Sequence, residues 1–334
     1  MNAPDKTKAP VMNTIQAVNR ALDDAMGLDP NVILLGEDIA DAQEGGIVGV
    51  TKGLSSKYGT SRVRSTPISE QAIIGAAIGA AIVGMRPVAE IMLMNFTTVA
   101  MDMIVNHAAK LRYMSGGQTH VPLTIRTMTG AGFGTGGQHA DYLEAWFAHT
   151  AGMKVVAPSS PADAYGLMLS CIFDDDPCLF IENLPTYWNP GAVPEFGQRI
   201  PLGKANIVRE GSDVTVISYS RILQDCAAVA QKLAGEGIQV ELIDLRTIAP
   251  LDQATLLKSV GKTRRAVVVH EAVRSFGVGA EIAALLQEHL FSDLKAPVQR
   301  VGAQHSPVPF SKTLEMAFVP QQPAVEAAIR KALG

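Results

Sequence analysis

The apolar positions of this chain follow two periods in alternation. In NTIQAVNRALDDAM the residues Ile15, Val18, Leu22 and Met26 recur at helical spacing, whereas NVILLGED is a short apolar run that ends in two acids, Glu37 and Asp38. The alternation continues. GLSSKYG reads as a short helix and RVRST as a strand. TPISEQAIIGAAIGAAIVGM (66–85) reads as a helix, RPVAEIML as a strand and FTTVAMDMIVNHAAKLRYM as one long helix. VPLTIRTM, MKVVAPS and PCLFIEN read as strands, separated by helices over ADYLEAWFAHT and PADAYGLMLSCIFD. Strands separated by helices predict a parallel sheet with helices on both faces.

The rhythm breaks at LPTYWNPGAVPEFGQRIPLG (184–203), where prolines and glycines replace any period. It resumes at DVTVISYS and runs on through IQVELIDL, RAVVVHEA and APVQRVG. The pattern predicts an α/β chain of two doubly wound domains. The first spans 13–190, a linker covers 191–204, and the second spans 205–334. Residues 1–12 read as a flexible tail with no apolar core.

Composition narrows the partners. Of 334 residues, 47% are hydrophobic and only 18% charged, so part of the surface is expected to be covered by another subunit. A net charge of -4 without a basic run argues against nucleic acid. Cys171, Cys178 and Cys226 lack metal spacing and read as reduced thiols of a cytoplasmic protein. The apolar run 72–85 is too short to span a bilayer.

Three features are candidates for chemistry. After Gln71 no polar side chain occurs until Arg86, so Glu70 stands alone at the head of an apolar helix. It either offsets the helix dipole or is a desolvated carboxylate able to hold and pass a proton. Glu37 and Asp38 end a strand where parallel sheets place their ligands; the alternative is a solvated loop. GFGTGG (132–137) fits a dinucleotide loop, but the next strand, MKVVAPS, ends without an acid for a ribose. A mobile loop over a site is the simpler reading. His139 follows that loop, either bonded to backbone at a helix start or donating to a substrate oxygen. No P-loop, H-E-x-x-H or G-x-S-x-G occurs.

Ordered blocks then resemble one family. LLGED, GGIVGVTKGL, RSTPISEQAIIGAAIGAAIVGMRPVAEIM, AAKLRYMSGGQ, GGQHADYLEAW, KVVAPSSPADAYGL, IDLRTIAPLD and PVPFS resemble the β subunit of thiamine-diphosphate-dependent 2-oxo acid dehydrogenases, in the transketolase superfamily. GGIVGVTKGL, IRTMTGAG and PVPFS look closest to the acetoin dehydrogenase branch. The resemblance implies a pyrimidine-binding domain followed by a transketolase C-terminal-like domain. It implies that Glu70 bonds a ring nitrogen of the cofactor's aminopyrimidine and relays a proton. Ile68, Glu37 and Phe96 are the implied neighbours of that ring, with Phe96 stacked on it. His139 is implied to face substrate. Leu123, Cys171, Ile172, Asp174 and Asp176 match positions that wrap a structural potassium ion, mostly through main-chain carbonyls.

One departure is local: where the family usually has QHSQ, this chain has QHAD. Asp141 thereby adds a carboxylate close in sequence to His139, which bears on the substrate accepted. One absence is global: no GDG motif for diphosphate and Mg2+ occurs in the 334 residues. The resemblance therefore implies an α subunit carrying that half, an α2β2 heterotetramer, and acyl transfer to the lipoyl-bearing acyltransferase core of a complex. The alternatives are a branched-chain 2-oxo acid dehydrogenase β subunit, a self-sufficient transketolase or deoxyxylulose-phosphate synthase, and a non-catalytic assembly subunit.

Overall fold

The first helix, Thr14–Leu28, shows how local sequence sets the frame. Asn13 accepts a hydrogen bond from the Gln16 amide at 2.9 Å, and the Gln16 side chain accepts from the Asn13 amide at 3.0 Å. This reciprocal cap is worth about 1 kcal/mol. Ala17, Val18, Ala21, Leu22, Ala25 and Met26 form its buried face, which packs on helix Pro161–Ile172. A computed structural model describes residues 10–334.

Seven strands form the first sheet, in the order Thr247–Ala249, Lys154–Val156, Cys178–Asn183, Thr124–Thr129, Arg86–Leu93, Val32–Glu37, Val63–Thr66. All pair in parallel except Thr247–Ala249, an edge strand supplied by the carboxyl-terminal half of the chain. The second sheet has five strands, Gln299–Ala303, Ala266–Val273, Val214–Ser218, Val240–Asp244 and Asn206–Arg209, the last antiparallel. One apolar cluster runs from Ile74, Ile91 and Leu179 across to Ile243, Val268 and Leu286, so the two domains are packed through a continuous core.

The structure departs from the sequence pattern in four places. Val11–Asn13 is a strand paired antiparallel with Pro190–Ala192, so the proline-rich segment pins the amino end of the first domain. Of the expected tail 1–12, residues 1–9 lie outside the described residues. The expected long helix over 96–114 is broken into a tight turn at Met94–Thr98, a π-helical turn at Met103–Ala108 and a short helix at Leu111–Met114. The Thr97 and Thr98 hydroxyls bond the carbonyls of Met94 and Asn95 at 2.6 and 2.7 Å and hold the first of these turns. Likewise the helix expected over ADYLEAWFAHT is only Glu144–Ala148; the residues before it are turns and loop. Finally, Gly75, Ala76, Gly79 and Ala80 suggest a close backbone neighbour for helix Glu70–Ile82. Instead a Cβ on Gly75 would meet only Met103, at 3.5 Å, and one on Gly79 nothing within 4 Å.

Candidate active site

The carboxyl ends of the parallel strands hold the acids that the sequence singled out. Strand Val32–Glu37 delivers Glu37, and the turn after Val63–Thr66 delivers Glu70 as the first residue of its helix. Glu70 is 9% exposed, although Ser69 and Ile68 before it are open to solvent. Among the described residues no hydrogen-bond donor reaches its carboxylate, and the helix start has no side-chain cap. An acid that stabilised the helix by capping would accept from those free amides. Burial pushes the Glu37 carboxyl up, with Glu70 and then Asp38 adding to the effect. Two acids thus lie side by side, and the neighbouring Glu70 charge makes Glu37 harder to ionise. Beside them Leu35, Thr66, Pro67, Ser69, Ala72, Ile73 and Ala76 line a recess of about 380 Å³.

Strand Arg86–Leu93 leads into the turn that carries Phe96, and strand Thr124–Thr129 leads through the glycine-rich loop to His139. The two rings meet edge to face with centroids 5.5 Å apart. His139 is not at a helix start, since the nearest helix begins at Glu144. Its Nδ1 is buried and unpartnered. The Asp141 carboxylate turns to Asn95, whose Nδ2 donates at 3.0 Å, while the Asp141 amide donates to Asn95 Oδ1 at 3.2 Å. This departure from the family pattern therefore ties the His139 loop to the residue before Phe96. Burial raises the Asp141 carboxyl and the Asn95 hydrogen bond partly offsets it.

The other five expected positions lie at the opposite, amino-terminal ends of the sheet's central strands. Leu123 precedes strand Thr124–Thr129, Cys171 and Ile172 end helix Pro161–Ile172, and Asp174 and Asp176 precede strand Cys178–Asn183. Their oxygens are already engaged. Arg86 donates to the carbonyls of Ile172 and Asp174 at 3.3 and 3.0 Å. Lys154 Nζ reaches both Asp174 oxygens at 2.6 and 2.7 Å, and Arg112 reaches Asp176 at 2.6 Å.

Two of the buried charged groups that sequence reasoning missed lie in or beside this domain's sheet. Arg126, 4% exposed, donates to Glu182 through Nε at 2.7 Å and Nη2 at 2.8 Å, and also to Glu90 through Nη1. Tyr187 donates to the same Glu182 at 2.7 Å. Burial draws the Arg126 guanidinium down, but Glu182 and Glu90 outweigh it and hold it above its ordinary value. The signal was present as single charges inside the strand runs RPVAEIML, PLTIRTM and LFIENL.

The second group is Glu144, wholly buried, which accepts from Tyr219 at 2.6 Å across the domain seam. Its other oxygen has no partner. Burial pushes this carboxyl from 4.5 to about 7, against the opposing Tyr219 hydrogen bond. The folded value lies above the unfolded one. Its contribution to stability is therefore complete below pH 4.5 and lost as pH rises to about 7. Glu144→Gln keeps an acceptor for Tyr219 and cannot ionise. The variant is expected to gain on the parent across that window, by roughly 3 kcal/mol in all. Denaturant melts as a function of pH measure this; a gap that does not change with pH sinks the assignment.

Residues 11–187 match the transketolase pyrimidine-binding domain and residues 203–325 the transketolase C-terminal domain. Fold and site together define a transketolase-type chain. It is 46% identical over 325 residues to the beta subunit of acetoin:2,6-dichlorophenolindophenol oxidoreductase of Cupriavidus necator, covering 95% of this chain and 96% of that protein. The Bacillus subtilis protein of the same description is 41% identical over 336 residues, with 98% of each chain covered. A mitochondrial pyruvate dehydrogenase E1 component subunit beta-2 of Oryza sativa is 43% identical over 325 residues, covering 96% of this chain and 86% of that one. The chain belongs to this family, the transketolase-type β subunits of thiamine-diphosphate-dependent dehydrogenases. A solved split-gene transketolase, described as an inactive beta4 tetramer, superposes with a TM-score of 0.77 at 23% identity, over 96% of this chain and 98% of that one. That likeness bears on the fold alone. Among the described residues no helix is long and apolar enough to cross a membrane.

Proposed function

We propose that this chain is the β subunit of a thiamine-diphosphate-dependent dehydrogenase that cleaves a carbon–carbon bond of acetoin, or of a 2-oxo acid such as pyruvate. The acyl group passes to a lipoyl domain. The observation that carries the reading is Glu70, 9% exposed, whose carboxylate is unpartnered among the described residues and stands beside Glu37, next in the chain to recess-lining Ser69. A carboxylate without a protein donor is suited to a ligand that brings its own ring nitrogen. Thiamine diphosphate supplies the electron sink for the carbanion. Glu70 would hold the ring nitrogen of its aminopyrimidine and move the proton there. Glu37 lies near that ring at the subunit interface, Ile68 and Phe96 flank it, and His139 offers its imidazole to substrate.

The chain has no GDG motif, so an α subunit is the proposed source of the diphosphate and Mg2+ half, in an α2β2 assembly on a lipoyl-bearing core. The active sites then lie at α/β contacts. The exposed side of helix Glu70–Ile82, with Ala72, Ala76 and Gly79, is free for such a contact. Leu123, Cys171, Ile172, Asp174 and Asp176 are the proposed potassium ligands. Their carbonyls retain a second lone pair after the hydrogen bonds described above, and hard oxygens suit an alkali cation. The cytoplasm is the proposed location, and the two domains are proposed to divide near the 191–204 segment.

One reconstitution tests the reading. The purified chain is expected to bind thiamine diphosphate weakly by calorimetry and to bind it tightly once its α subunit is added. The assembly is expected to turn over acetoin with an artificial electron acceptor faster than pyruvate or branched 2-oxo acids. Replacing potassium by tetramethylammonium is expected to lower its melting temperature. Tight magnesium-dependent binding by the lone chain refutes the divided site, and no turnover of any of these substrates leaves only an assembly role. An unchanged melting temperature removes the potassium site.

A further inference from the structure

The loop that leads to His139 has little of its own to hold it in shape. Gly130, Gly132, Gly134 and Gly136 have φ of 126°, 127°, 68° and 73°, a region in which residues with a side chain are strained. Such a run is disordered unless its amides find partners elsewhere. Two of them do so in the other domain. Glu315, on helix Lys312–Phe318 and 1% exposed, accepts from the Gly132 amide at 2.7 Å through Oε1. It also accepts from the Gly134 amide at 3.0 Å through Oε2. Gly134 lies a further 3.2 Å from Oε1, so the carboxylate straddles the bend of the loop.

The chain just before Glu315 completes the seat. A Cβ on Gly136 would lie 2.5 Å from the Phe310 ring, and one on Gly137 would lie 2.9 Å from Pro307. Those glycines are needed because the carboxyl-terminal domain comes that close. Where the seat ends, the His139 amide donates to the Gly136 carbonyl at 3.2 Å and the imidazole turns toward Phe96. A cleft of about 1130 Å³ opens between the same two segments.

We propose that Glu315 is a positioning residue: it clamps the glycine-rich loop through the Gly132 and Gly134 amides and thereby sets the place of His139. The inference rests on the reading of His139 as the group that faces substrate. It gives the carboxyl-terminal domain a part in the substrate side of the site, although that domain supplies none of the site residues named above.

Two measurements on the same variants separate the clamp from the function. In the purified chain, chymotrypsin cleavage after Phe133, which is 50% exposed, reports the freedom of the loop. Glu315→Ala is expected to speed that cleavage by roughly tenfold, the signature of a lowered local opening energy. Glu315→Gln keeps the length and one acceptor oxygen and is expected to fall between. In the assembly with the α subunit, Glu315→Ala is expected to lower kcat by about tenfold to a hundredfold, the scale of a misplaced group, with cofactor affinity retained. Val325→Ala, which removes buried methyls from the second domain's core without touching the loop, is the control for general loosening. It is expected to leave both readings at the parent level. Unchanged cleavage in Glu315→Ala overturns the clamp, as does equal cleavage in Val325→Ala. Faster cleavage with parental kcat overturns the positioning role. A parent assembly without turnover defeats the functional reading alone, because cleavage still reports the clamp.

Discussion

Glu70→Gln is expected to slow deuterium exchange at the reactive thiazolium carbon of bound thiamine diphosphate by at least about a hundredfold, the scale of a positioned acid–base group. The substitution preserves shape. It removes no hydrogen bond seen among the described residues, because no donor reaches the carboxylate there. The fold and melting temperature are therefore expected to hold. An amide can still lie against a ring nitrogen, but it cannot give up and regain a proton. Glu37 does not substitute for it, because it is held elsewhere, at the end of strand Val32–Glu37. The measurement is exchange on cofactor bound to the α/β assembly, followed by rapid acid quench and NMR. If exchange proceeds at the parental rate, Glu70 serves only the helix dipole, an effect worth under about 1 kcal/mol at most surface sites.

The largest effect on stability is expected from Arg126→Ala, which should cost about 3–5 kcal/mol. Arg126 and Glu182 are nearly or wholly out of water, at 4% and 0% exposure, and Glu90 is close by. Removing the guanidinium leaves two carboxylates facing each other across three strands. Burial raises the Glu90 carboxyl even with Arg126 present. Without it the Glu90 carboxyl is driven further toward the neutral form, so part of the loss returns as pH falls. A second change, Glu182→Gln, made on top of Arg126→Ala, is expected to cost less than it does alone, because the carboxylate it removes has already lost its partner. Denaturant melts of the four proteins of this cycle supply the numbers. A cost below about 1 kcal/mol for Arg126→Ala, as for an exposed ion pair, means that water reaches the cluster. The triad joins strands Arg86–Leu93, Thr124–Thr129 and Cys178–Asn183, two of which lead to Phe96 and His139. Loss of Arg126 is thus expected to loosen the site as well as the core.

Much of this protein was legible as period and spacing. The change from short continuous apolar runs to a period of 3.6 marked the strands and most helices, because central parallel strands are buried on both faces and helices on one. The acids at strand ends marked Glu37, and a lone carboxylate before an unbroken apolar helix marked Glu70. The pattern failed over 96–114, where apolar spacing alone cannot tell an α-helix from linked short turns.

Tertiary structure decided what lies between residues far apart in the chain. Glu315 and Gly132 are separated by 183 positions, Tyr219 and Glu144 by 75, and Arg126 and Glu182 by 56. A single glutamate in FSKTLEMAF carries no mark of the loop it will hold, and a charge inside a strand run carries no mark of its partner. Those pairings exist only once the strands are in register and the domains are packed. A buried charge is stable where its counter-charge or its amides have already been brought to it. The sequence by itself determined which elements form and which residue types are available at their ends. Packing alone determined that Asp141 turns to Asn95 and that the second domain reaches the loop before His139.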